Sequence, residues 1–141
     1  MKKLIPALFL SLLFACSNNA SKPDNWYMSK WIIDESKTLD QEKDLPESHF
    51  NVLKISVGMT SAITYDIQAN NIKLYKGDAE LKNIPIEVVS LGNDETLLKA
   101  QHQDIIVGYD ENGEYMKMDG WAGSNGEREE FKLKLYIEKV D

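Results

Sequence analysis

"FKLKLYIEK", residues 131–139, decides how this chain is built. Phe131, Leu133, Leu135 and Ile137 fall on one side of an extended backbone. Lys132, Lys134, Tyr136 and Glu138 fall on the other. Neighbouring side chains of a strand point to opposite faces, so this period of two describes a strand with one face in a core and one in water. The same reading extends backwards through "EYMKMDGW" (114–121), "DIIVGYD" (104–110), "TLLKAQ" (96–101), "IPIEVVSL" (84–91), "NIKLYKG" (71–77), "AITYDIQ" (62–68) and "HFNVLKISV" (49–57). Turn-forming runs separate them: "QANN", "KGD", "LGNDE" and "DENGE". Asn112-Gly113 is the strongest hairpin signal among these. A strand about every ten residues predicts an all-β fold, an up-and-down antiparallel meander closing into a barrel or sandwich. Its inward face carries Ile63, Tyr65 and Ile67, then Ile84, Ile86 and Val88, then the apolar side of 131–137. One short helix is expected over 34–45, "DESKTLDQEKDL". Thr38 and Gln41 there have capping-box spacing, and Leu39 and Leu45 would face inward.

The chain has 141 residues and a formal charge of −7. A strong negative charge argues against nucleic acid, whose phosphates need a basic surface. It favours a cationic partner. Cys16 is the only cysteine, so no disulfide forms within the chain.

The N-terminus has its own pattern. Lys2 and Lys3 precede the apolar run "LIPALFLSLLFA" (4–15), and polarity returns with "SNNASKPDN" (17–25). A basic start, a short apolar core and a small residue at its end is the form of a secretory signal. The run falls short of the roughly 20 apolar residues that a membrane span needs. Leu13-Phe14-Ala15-Cys16 resembles the lipobox of bacterial lipoproteins, with Phe14 where that family carries a smaller residue. The resemblance implies cleavage between Ala15 and Cys16 and lipidation of Cys16, with several acyl chains giving a stable anchor. Ser17 implies sorting to the outer membrane, facing the periplasm. Loss of Lys2 and Lys3 with the signal takes the charge from −7 to −9. The expected organisation is a signal peptide at 1–15, the lipidated cysteine and a flexible tether at 16–25, and one β-barrel domain at 26–141.

"SKWIIDESKT" near the domain start, a short helix, and a run of hairpins ending in a long amphipathic strand resemble the small lipocalin-like domains of envelope lipoproteins. The first-strand motif of lipocalins, Gly-x-Trp, here reads Ser29-Lys30-Trp31. In that family the tryptophan packs beneath an arginine from a late strand. The resemblance therefore implies a Trp31–Arg128 contact at the barrel end, Arg128 being the only arginine.

Catalytic chemistry is hard to find. Cys16, once acylated, is no nucleophile. His49 and His102 have no metal-ligand spacing, and no Gly-x-Ser-x-Gly is present. "DENGEY" (110–115) reads as a hairpin, not a calcium loop, because Gly113 comes too early. Met59, Met116 and Met118 read as core filler. Trp121, in "DGWAGSNG", is either a plug at one end of the core or an exposed binding residue. No cofactor, no metal and no enzymatic activity are expected. The expected function is non-enzymatic binding by a membrane-anchored lipoprotein, of a small apolar ligand or of a partner. The alternative is an acidic inhibitor or immunity-type module that captures a basic envelope protein.

Overall fold

The computed structural model describes residues 22–123 and 127–141. Ala15, Cys16 and the segment expected to be a signal peptide, 1–15, lie outside them. The elements in chain order are β1 (Lys30–Ile33), α1 (Glu35–Gln41), α2 (Glu47–Thr60), β2 (Ile63–Ile67), β3 (Asn71–Lys76), β4 (Ala79–Pro85), β5 (Glu87–Gly92), β6 (Glu95–Lys99), β7 (Ile105–Asp110), β8 (Gly113–Ala122) and β9 (Glu129–Lys139). The fold is all-β, with two short helices. Its nine strands form one antiparallel sheet in the order β4-β3-β2-β1-β9-β8-β7-β6-β5, curved into a nearly closed barrel.

β9 holds the two halves together. Met118 faces Leu133 and Met116 faces Leu135 across β8–β9, while Ile33 faces Ile137 across β1–β9. Leu133, Leu135 and Ile137 are buried, and Lys132, Lys134 and Glu138 lie on the wetter side, whereas Tyr136, expected on that side, is buried with its hydroxyl bonded to Asp110. Along its first half β9 has no strand on its β1 side. Helix α1 covers that edge. The Asp34 N–H donates to the Tyr136 carbonyl at 2.9 Å, and the Tyr136 N–H donates to Thr38 Oγ1 at 2.8 Å. Thr38 is fully buried, and its hydroxyl replaces the missing ladder partner. Asp34 caps α1 by accepting from the Lys37 N–H at 3.1 Å; the expected Thr38–Gln41 box does not form that cap. Leu39 and Leu45 pack against the core as expected.

The stretch 49–57, read as a strand, is helical. His49, Leu53 and Val57, four residues apart, form the buried stripe of α2. Leu53 and Val57 are 0% exposed and join Trp31, Ile67, Ile72, Met116 and Leu135 in one core cluster. The helix therefore packs one stripe onto the core, while Asn51, Lys54, Ile55 and Met59 on its other face are exposed. Met116 and Met118 pack in or against this core, whereas Met59 is exposed on α2. Among the described residues no helix is long and apolar enough to cross a membrane.

The stretch 84–91, read as one inward-facing strand, is a bend. β4 ends at Pro85 and β5 begins at Glu87. β4 pairs with β3, and β5 pairs with β6. Counted as one bent strand, the pair closes an eight-strand circuit, and the two half-sheets part on either side of the bend. Ile84 and Ile86 are partly buried, but Val88 is exposed. The β5–β6 hairpin turns through Asn93 and Asp94, both at positive φ, as a type I′ turn requires. At Asn112-Gly113 the chain also forms a hairpin, with Asp110 opposite Gly113.

Candidate functional site

The bend leaves two clefts, one on each open edge. Residues 100–103 continue β6 beyond Lys99, but they do not pair with β4. A cleft of about 360 Å³ opens there, between Lys82–Pro85 and Ala100–Gln103, with Ile72 and Ile105 of the core at its base. The free edge of β5 faces the entry segment, residues 22–27, across a cleft of about 480 Å³. Its walls are Val88 and Ser90 on one side and Pro23, Trp26 and Tyr27 on the other, with Asp24, Asp94 and Tyr109 at the rim. Both volumes fall in the 300–1,000 Å³ range of ligand-sized sites.

An aromatic cluster builds the second wall. Trp26 meets Tyr27, Trp31 and Tyr109 edge-on, at ring-centroid distances of 5.9, 5.9 and 5.5 Å. The Trp31 indole N–H donates to the Tyr27 carbonyl at 2.8 Å, so the buried polar end is satisfied. Lys22 lies 5.8 and 5.7 Å from the Trp26 and Tyr109 ring centroids and forms a 2.7 Å ion pair with Glu114. Partial burial alone would raise the Glu114 carboxyl; the hydrogen bonds from Lys22 and from its own backbone, with the Lys22 and Lys37 charges, together outweigh it and hold the group below its ordinary value. Burial, and then the Asp24 charge, raise the Tyr27 phenol. Lys22, Pro23 and Asp24, assigned from sequence to the tether, thus lie against the barrel end.

Beyond the cleft, the outer face of β6–β9 carries a polar network. Glu95 Oε2 accepts from the Tyr115 hydroxyl at 2.8 Å and pairs with Lys117 at 2.7 Å. Asp110 Oδ2 accepts from Lys134 at 2.6 Å and from the Tyr136 hydroxyl at 3.0 Å. Desolvation opposes both charges, but these donors prevail and hold both carboxyls below their ordinary values. The Lys134 ammonium sits over the Tyr115 ring at 4.4 Å. Gly108 makes room for that ring: a Cβ there would lie 2.5 Å from the Tyr115 hydroxyl oxygen.

The structure does not bring Trp31 and Arg128 together. Trp31 pairs with Lys139 at the end of β9, and Arg128 precedes its first residue. Eleven residues at about 3.3 Å each put them on the order of 35 Å apart along the strand. Arg128 is exposed beside the cleft formed by Ser48, Ala122 and Glu129. Trp121 does not plug the core. It lies on β8 opposite Glu130, on the outward side, and is 53% exposed. His49 stacks on Phe131 at 4.1 Å and contacts Glu129 at 3.2 Å, while His102 lines the smaller cleft, whose walls do not include His49. Among the described residues no group of three or more His, Cys, Asp or Glu is placed to hold a metal.

The sequence motif Ser29-Lys30-Trp31 points to Trp31 but not to Tyr109 or the β5 edge. The available signal was Pro85, which cannot continue a paired strand. No family model matches this chain, and no curated protein or solved structure matches it either.

Proposed function

We propose that this is a non-enzymatic, lipid-anchored binding protein of the cell envelope that recognises its partner at the open seam of its barrel. One observation carries the seam: the buried stripe of α2, with Leu53 and Val57 at 0% exposure, helps to fill the core, while the sheet stays open beside β5 and β4. A filled barrel has little room for a small-molecule cargo. The charge of −7, and −9 once Lys2 and Lys3 are lost, supports a basic protein as partner. The lipobox-like Leu13–Cys16 and the following Ser17 support anchoring at Cys16 in the outer membrane, facing the periplasm.

A second reading, a small apolar ligand, is favoured by Ile72, Ile84 and Ile105 in the smaller cleft. Photo-crosslinking separates the two. A photoreactive residue at Ser90 or at Gln101 of the full lipidated chain should give protein-sized adducts in the living envelope. Absence of such adducts from both positions refutes the proposal.

A further inference from the structure

We infer that the free edge of β5 accepts an extended, basic segment of a partner polypeptide as an added strand. This rests on the binding reading above and names the partner's chemistry. The Ile86 N–H donates to the Asn70 carbonyl at 2.9 Å, on the β3 side of the bent strand. Backbone groups alternate sides along a strand. Val88 and Ser90 therefore turn their N–H and C=O groups to that same side, where β3 has already ended. Among the described residues no strand pairs with them there.

The two open edges differ in protection. β4 carries Glu80, Lys82 and Pro85, and its pairing with β3 shifts register at Leu74/Tyr75. Charges, proline and bulges are the devices that discourage strand addition. β5 carries a single charge, Glu87 at its start, and neither lysine nor proline, and its register shift comes only after Ser90. Val88, Val89 and Leu91 are exposed along it. An unguarded apolar edge of this kind is the geometry of β-augmentation, in which main-chain bonds give affinity and alternate side chains give specificity.

Side chains set the preferred sequence. On the outward face Val89, Leu97 and Ile106 stand in register, so an added strand extends an apolar row. On the other face lie the Trp26 and Tyr109 rings, where Lys22 already shows how an ammonium is held. Lys22 is neutralised by Glu114, whereas Asp24, Glu87 and Asp94 have no lysine or arginine within ion-pair distance among the described residues. The cleft therefore suits a segment that alternates lysine or arginine with apolar residues.

The test uses the full lipidated chain in mild detergent and a decapeptide alternating valine and lysine, with a valine–glutamate decapeptide as control. The lysine peptide should bind and slow amide exchange at Val88 and Ser90. Its affinity should fall at least tenfold in Val88→Pro and in Ser90→Pro, which remove free-edge donors without touching the β6 ladder, and should fall with added salt. The glutamate peptide should not bind. Unchanged affinity in both proline variants overturns the inference, as does failure of the lysine peptide to bind. A dimer with Val88 and Ser90 already protected would make a second copy the occupant and overturn it too. The broader binding reading stands or falls separately, on crosslinks from Ser90 or Gln101.

Discussion

Leu53→Ala tests whether α2 packs onto the barrel core as a helix. Leu53 is 0% exposed within the core cluster, and Ile55, two residues on, is 64% exposed. A strand would place both on one face; a helix turns them about 200° apart. Truncating a buried leucine costs about 2–5 kcal/mol, from lost transfer energy and the cavity left behind. A domain of this size unfolds with an entropy of roughly 0.25 kcal/mol/K, so a loss of about 3 kcal/mol lowers Tm by about 12 °C. Ile55→Ala leaves a solvated site and should change stability by no more than about 0.5 kcal/mol. Urea unfolding and a thermal scan of both variants measure the difference. Equal losses in the two variants would refute the helix and, with it, the filled interior.

Stability should fall at both ends of the pH scale. Glu95, Asp110 and Glu114 have depressed values in the fold, so their contribution is present above about pH 4–5 and is lost as pH falls through their folded values. Burial pushes Tyr65 up to about 12 and also raises Tyr115, while Lys134 is raised by Asp110 and Tyr136 against the opposing effect of its own burial. Their contribution is complete below about pH 10 and is lost above it, which denaturant midpoints across pH would reveal. Gly108→Ala should cost about 1–3 kcal/mol, because its Cβ displaces the Tyr115 ring and breaks the bond to Glu95; a much smaller cost of Gly108→Ala in a Tyr115→Ala background would confirm the cause. Cys16→Ser should abolish incorporation of labelled palmitate and leave uncut precursor, and a mature lipidated variant would contradict the lipobox reading.

The hairpins were legible because their alternation was clean. "FKLKLYIEK" lies in β9 with the expected faces inward. Residues 49–57 misled because His49, Leu53 and Val57 are four apart, a spacing shared by a period of two and a period of 3.6. Pro46 at the helix start, followed by Glu47 in the first turn, favours the helix. Residues 84–91 misled because the valines of β5 are apolar yet exposed; alternation reports a pleat, not which side is covered. The cleft escaped because Trp26, Ser90 and Tyr109 are far apart in sequence and meet only when the barrel curls. Trp121 was undecided because its exposure depends on strand parity, and opposite Glu130 that parity turns it outward.

Native mass spectrometry of the protein, purified gently from its own cells, tests most directly whether the barrel is filled by its own side chains. The expected spectrum shows only the chain with whatever acyl groups it carries covalently, and no further small-molecule mass. A bound species of a few hundred daltons, released on denaturation, would mean that the barrel carries a ligand and that recognition does not reside at the seam alone.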